Sequence, residues 1–147
     1  IKTSQGLARG RKAPVTCCAF SPDGTSIFAG TDSGSIMRWP EQGPFLKPAQ
    51  TAPNCHPNLT PITSVCASSN GRHQLLTRCV DGTVKVWDLR KFGAPLQAFG
   101  DLETIYEHSD VVYSPDERYF AIGTSVRRAS QEPGRLVFFD STTLQRP

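Results

Sequence analysis

The stretch Asp81-Gly82-Thr83-Val84-Lys85-Val86-Trp87-Asp88-Leu89-Arg90 decides the reading of this chain. Asp-Gly opens a turn, because aspartate bonds nearby backbone and glycine reaches the left-handed region without steric cost. Val84 and Val86 then alternate with their neighbours as a half-buried strand requires, and the strand ends on an aromatic residue and an aspartate. Two weaker copies exist. Gly34-Ser35-Ile36-Met37-Arg38-Trp39 has Pro40 in place of the aspartate, and Gly134-Arg135-Leu136-Val137-Phe138-Phe139-Asp140 has Phe139 in place of the tryptophan.

Working outward, each copy is preceded by the same elements. Val15-Thr16-Cys17-Cys18-Ala19-Phe20-Ser21, Ile62-Thr63-Ser64-Val65-Cys66-Ala67-Ser68 and His108-Ser109-Asp110-Val111-Val112-Tyr113-Ser114 align without gaps at offsets of 47 and 46 residues. Each runs into a turn: Ser21-Pro22-Asp23-Gly24, Ser68-Ser69-Asn70-Gly71 and Ser114-Pro115-Asp116-Glu117. Apolar second strands follow at Ile27-Phe28-Ala29, Leu75-Leu76-Thr77 and Tyr119-Phe120-Ala121-Ile122. Nothing sustains a helical period, so the chain is all-β.

Strand, turn, strand, turn, strand at a period of about 40–50 residues, closing on aromatic-Asp, resembles the blade of a WD40 β-propeller. The resemblance implies a partial propeller of about three four-stranded antiparallel blades. Residues 1–60 hold an N-terminal segment, the first blade and a proline-rich connector; 61–107 hold the second blade, and 108–147 a third whose outer strand is incomplete. Outer strands are expected around Phe45-Leu46-Lys47 and at Pro95-Leu96-Gln97-Ala98-Phe99. Propellers close with about four to eight blades, so further blades are expected outside this chain. In the WD40 family the blade tryptophan, a strand hydroxyl, a histidine and the turn aspartate form a buried hydrogen-bond chain. The resemblance carries these roles to Trp87, Thr77, His56 and Asp81, with Trp39 as the tryptophan of the first blade. A buried indole N–H or carboxylate left without a partner is costly, whereas a completed network fixes the blade.

The third copy departs from the common spacing. From the turn serine to the strand-opening glycine is 13 residues in the first copy, 14 in the second and 20 in the third. The added residues lie in 125–133, a hairpin loop, and long loops on rigid scaffolds are where binding sites are built. By the family's architecture this loop emerges beside the start of the innermost strand, which brings Arg127 and Arg128 toward His108 and Asp110 as a partner-binding face.

A narrower resemblance rests on Lys2-Thr3-Ser4-Gln5-Gly6 leading to Pro14-Val15-Thr16, on Val86-Trp87-Asp88-Leu89-Arg90 with Phe92, and on Gly123-Thr124-Ser125 through Leu136–Phe139 to Thr143-Leu144-Gln145-Arg146. These stretches resemble one eukaryotic group of WD40 proteins, the gastrulation-defective homologues. That resemblance implies a nuclear, non-enzymatic protein-interaction scaffold linked to chromatin, the DNA double-strand break response and cullin-4 ubiquitin ligases. Asp81, Trp87, Asp88 and Arg90 have the spacing D-x5-W-D-x-R, similar to the box by which propeller receptors dock on the cullin-4 adaptor. Arg90 would be the exposed contact and Asp88 would orient the strand end. The alternative is a structural subunit of a nuclear ribonucleoprotein or RNA-processing assembly, in which Arg9, Arg11 and Lys12 with Arg127, Arg128 and Arg135 contact phosphates as a minor nucleic-acid interface.

Composition removes other classes. Twelve glycines and twelve prolines in 147 residues are too few for low-complexity chain and suit a turn-rich fold. No apolar run approaches the ~18–20 residues of a membrane helix, and no membrane partner is expected. A net charge of +3 is too mild to imply a nucleic-acid binder by itself. Five cysteines without C-x-x-C spacing suggest neither a disulfide framework nor zinc, and fit a reducing compartment. No P-loop, dinucleotide fingerprint or nucleophile elbow is present, and His108-Ser109-Asp110 has triad chemistry in its letters only, because adjacent strand residues face opposite sides. No enzyme activity, cofactor, metal or small-molecule substrate is expected.

Overall fold

The computed structural model describes residues 13–57, 59–127 and 133–147. Among these residues eleven strands form three antiparallel sheets in chain order. The first sheet is β1 (Val15–Phe20), β2 (Ser26–Thr31), β3 (Ile36–Pro40) and β4 (Gln50–Ala52). The second is β5 (Ile62–Ala67), β6 (Gln74–Cys79), β7 (Val84–Asp88) and β8 (Pro95–Phe99). The third has three strands, β9 (Val111–Tyr113), β10 (Tyr119–Gly123) and β11 (Leu136–Asp140). Each sheet is a blade, and strand order follows chain order from the innermost strand outward.

The core lies at the seams between blades. Side chains alternate across a strand, so neighbouring residues serve opposite seams. Leu75 and Trp87 are cross-strand partners and pack with Phe28 and Ile36 of the first blade. Leu76 and Val86, the next pair, pack with Val111, Phe120 and Phe139 of the third. Each such fully buried side chain contributes about 1.5–3 kcal/mol. The outward faces of the terminal blades are different: Phe20 at one end and Val112, Leu136 and Phe138 at the other are exposed.

Innermost strands are tied across the seams by hydroxyls. Thr16 Oγ1 donates to the Ile62 carbonyl at 2.5 Å, and Thr63 Oγ1 donates to the Ser109 carbonyl at 2.7 Å, in each case 46 residues away. Gly30 stands opposite Cys17 and faces Ile62, where an added Cβ would lie 2.7 Å from both Cys17 Sγ and Ile62 Cγ2. The first seam therefore closes only around a residue without a side chain.

The first hairpin of every blade carries the same side-chain turn. Asp23 and Asp116 each accept the hydroxyl of the serine two residues before, Asn70 Oδ1 lies 2.7 Å from that of Ser68, and all three accept the backbone N–H two residues after. The following residue is left-handed in all three: Gly24 at φ 70°, Gly71 at 75° and Glu117 at 51°. A glutamate there costs about 1–2 kcal/mol relative to the ordinary conformation. Glu117 offsets that cost with a clamp across the second seam, since its buried carboxylate accepts from Ser69 N at 2.5 Å, Ser68 Oγ at 2.8 Å, Asn70 N at 3.2 Å and the Ser69 hydroxyl.

Two expectations are corrected. The outer strand of the first blade lies at Gln50–Ala52 and not around Phe45-Leu46-Lys47. Pro44 and Pro48 bracket the latter segment and cannot donate to a ladder, so pairing begins at Ala49 N, which donates to the Arg38 carbonyl at 2.8 Å. The innermost strand of the third blade covers Val111–Tyr113 alone, leaving His108 to Asp110 ahead of it. Gly30→Ala is expected to destabilise the protein by about 1–3 kcal/mol through overpacking against Cys17 and Ile62; urea denaturation of the intact protein measures it.

Candidate functional site

A buried polar chain anchors the second blade. Trp87 Nε1 donates to Thr77 Oγ1 at 2.9 Å, and Thr77 Oγ1 is 2.8 Å from His56 Nε2. His56 Nδ1 is 3.1 Å from Asp81 Oδ2, and Thr83 donates to Asp81 Oδ1 through its backbone N at 2.9 Å and its hydroxyl at 2.7 Å. One proton arrangement satisfies every member. The indole N–H goes to Thr77, the Thr77 proton to His56 Nε2, and the His56 Nδ1 proton to Asp81. The elements place these groups by register: Thr77 sits within β6, Trp87 near the end of β7, and Asp81 and Thr83 in the turn joining them. His56 arrives from the connector after β4, where its backbone N donates to the Gly34 carbonyl of the first blade at 3.0 Å.

This arrangement requires neutral histidine. Burial lowers the His56 pKa below its ordinary 6.5, against the raising effect of Asp81. Burial would raise the Asp81 carboxyl, but hydrogen bonds from His56 and Thr83 outweigh it and hold the group ionised. A proton added at Nε2 would turn that nitrogen into a donor and leave the Thr77 hydroxyl proton without an acceptor. Cys79 Sγ lies close enough to His56 and Asp81 to make a three-ligand set. Burial pushes its thiol up to about 11, however, and it donates to the Thr60 carbonyl. Both imidazole nitrogens are also engaged, so an ion could enter only by dismantling the network.

Trp39, expected in such a network, is not in one. It is buried, yet its Nε1 has no partner among the described residues. The reason is local: Trp39 pairs with Ile27 as Trp87 pairs with Leu75, which puts Ala29 where the second blade has the Thr77 hydroxyl. In the third blade the polar chain is replaced throughout. Ile122 stands at the Thr77 position and Phe139 at that of Trp87, where it stacks on Phe120 at 5.1 Å.

At the solvent end of the same strand, Asp88 and Arg90 form a bidentate pair. Arg90 Nε donates to Asp88 Oδ1 at 2.9 Å and Nη2 donates to Oδ2 at 2.8 Å, while the Arg90 backbone N donates to Oδ1 at 2.9 Å. These bonds hold the Asp88 carboxyl down at about 2. The Arg90 side chain is 66% exposed, and its Nη1 has no partner among the described residues. A fork held in one plane on an exposed strand end presents a fixed cation.

Arg127 lies elsewhere. It lines a groove of about 610 Å³ at the second seam, together with Asp81, Thr83, Asp101, Glu103 and Ile105. His108 and Asp110, both exposed, do not line this groove, and Arg128 lies outside the described residues. Sequence reasoning missed Thr83, whose hydroxyl completes the Asp81 shell, although its place directly after Asp-Gly was a signal. It also missed Arg78, fully buried and held by the Leu102 carbonyl, with its Nε unpaired among the described residues.

Two measurements test the network. Trp87→Phe and Trp39→Phe remove the same indole volume, but only the former breaks a hydrogen bond and strips Thr77 of a donor. Trp87→Phe is expected to cost about 1–3 kcal/mol more in urea denaturation. His56 is neutral in the folded chain and titrates near 6.5 when unfolded. Its stabilising contribution is therefore fully present above that pH and is lost as pH falls below it toward the depressed folded value. The thermal midpoint is expected to fall between pH 7.5 and pH 5.5, and more weakly in His56→Gln.

Comparison with known proteins agrees with this architecture. The family model described as "WD domain, G-beta repeat" matches residues 3–40 and 47–88, the first two blades. WD repeat-containing protein 70 of Xenopus laevis is 38% identical over 140 residues, which are 94% of this chain and 22% of that protein. Gastrulation defective protein 1 homolog of Drosophila melanogaster is 35% identical over 146 residues, or 99% of this chain and 22% of the relative. The chain thus spans about a fifth of these relatives. The crystal structure of RRP9 WD40 repeats superposes with a TM-score of 0.71 at 16% identity, covering 95% of this chain and 39% of that one, a likeness of fold. With three blade sheets in sequence and a WD-repeat match over the first two, the chain belongs to the WD40 repeat family.

Proposed function

We propose that this chain is part of a non-enzymatic nuclear scaffold, and that the strand end at Asp88 and Arg90 docks an adaptor of cullin-4 ubiquitin ligases in the context of chromatin and double-strand break repair. The observation that carries the docking is the bidentate Asp88–Arg90 pair, which holds a two-thirds exposed guanidinium at the end of the best-formed WD repeat. Pinning removes most of the rotamer entropy that a free arginine loses on binding, about 1.5–2 kcal/mol. Its likeness to proteins named WD repeat-containing protein 70 supports the reading as a WD-repeat scaffold.

The RNA-processing alternative has less support from geometry. Arg9, Arg11, Lys12 and Arg128 lie outside the described residues, and Arg127 stands among carboxylates, which disfavour phosphate. A pull-down from nuclear extract with the full-length protein separates the two readings. Wild type is expected to recover the ligase adaptor, with recovery lowered at least about tenfold by Arg90→Ala, a loss of about 1.4 kcal/mol. Arg90→Lys is expected to restore little, because lysine lacks the planar fork. Recovery unchanged by Arg90→Ala, or no adaptor with the wild-type bait, sinks the docking proposal.

A further inference from the structure

The turn at Ser68-Ser69-Asn70-Gly71 differs from both its counterparts at two positions, with Ser69 in place of proline and Asn70 in place of aspartate, and in one neighbour. Where the others carry Asp23 and Asp116, it carries Asn70, and among the described residues only here does a carboxylate from the next blade, that of Glu117, enter the turn. Ser68 Oγ lies 2.7 Å from Asn70 Oδ1 and 2.8 Å from Glu117 Oε2, with one proton to give. An amide at position 70 leaves that proton to Glu117 and adds no charge. A carboxylate there would compete for the same proton and set a second anion against the first. This contact accounts for asparagine at the one turn of the three that Glu117 enters.

We infer that Asn70 is a site of self-modification, converting to aspartate and isoaspartate, and that the charge so created weakens the Glu117 clamp between the second and third blades. The residue that follows is Gly71, at φ 75°, with nothing within 4 Å of where a Cβ would stand, so no side chain obstructs attack by its nitrogen. Asn70 Oδ1 accepts from Arg72 N at 3.2 Å. This donor polarises the amide carbonyl toward attack. The exposed position gives water access for the second step. In the first step the Gly71 nitrogen forms a bond to Asn70 Cγ, the Gly71 N–H proton passes through solvent to the departing amide nitrogen, and ammonia leaves. Water then opens the resulting cyclic imide at one of its two carbonyls. One water is consumed and one ammonia released, with no oxidant or reductant.

The test follows residue 70 in the intact protein during incubation at neutral and mildly alkaline pH, by peptide mass spectrometry and isoaspartyl-specific enzymatic methylation. A synthetic peptide of residues 66–75 serves as the unfolded reference. Position 70 is expected to convert at a rate within about tenfold of the peptide, faster at higher pH, while Asn54, followed by Cys55, stays intact. An intact Asn70 after the peptide has converted, or a lag of much more than tenfold, overturns the site. The consequence is tested separately. Asn70→Asp is expected to lower the Tm by about 2–4 °C, and by less in a Glu117→Gln background. Equal or higher Tm in Asn70→Asp, or an undiminished loss in the Glu117→Gln background, overturns the effect on the clamp.

Discussion

A single chain of hydrogen bonds, from the Trp87 indole through Thr77 and His56 to Asp81, joins β6, β7, the turn between them and the connector that leaves the first blade by side chains alone. Its strength lies in completeness. Each buried polar atom of the chain is partnered and each proton has one destination, so removing any member strands its neighbours at about 1–3 kcal/mol each. Because His56 is also tied through its backbone to Gly34, the same chain sets the position of the second blade against the first.

The three blades offer three solutions to one packing problem. The second completes the polar chain. The third removes polarity altogether, placing Ile122 and Phe139 where Thr77 and Trp87 stand and stacking Phe139 on Phe120. Replacing both partners by apolar groups is nearly neutral, since no buried donor is left behind. The first blade does neither: it keeps the indole of Trp39 and presents Ala29 opposite, leaving a buried N–H unpaired among the described residues. The unpaired indole is thus a cost particular to the first blade, whereas the second leaves Arg78 Nε and the third Tyr113 OH unpaired among the described residues.

Much of this was legible in the sequence, for physical reasons that can be named. The strands of the second blade were visible because Val84 and Val86 alternate and Asp81-Gly82 admits one kind of turn. His56 was legible through the family resemblance, which assigns a histidine to the buried chain with Trp87, Thr77 and Asp81. The outer strand of the first blade was misplaced because Phe45 and Leu46 are apolar enough to look like strand, while the prolines on either side deny them a ladder. The Glu117 clamp was not legible. A glutamate in place of turn glycine reads as a simple loss of turn quality, and only the fold shows that its carboxylate reaches a turn 48 residues earlier. The unpaired Trp39 was hidden for the converse reason, since a tryptophan in the expected place says nothing about the residue opposite it.

The relation between the buried network and the exposed strand end follows from chain connectivity. Trp87 and Asp88 are adjacent and point to opposite sides, so fixing the indole fixes the carboxylate. Asp88 in turn holds Arg90 by two side-chain bonds and one backbone bond, which commits three of its contacts before any partner arrives. A cation placed this way depends on packing two residues back and only weakly on its own rotamer preference. The surface of the third blade has no such relay: Asp140 ends β11 beside an apolar Phe139, and its carboxylate is used to close the turn on the backbone nitrogens of Thr142 and Thr143. Among the described residues, the second blade alone of the three pairs a complete interior network with an oriented arginine at the strand end.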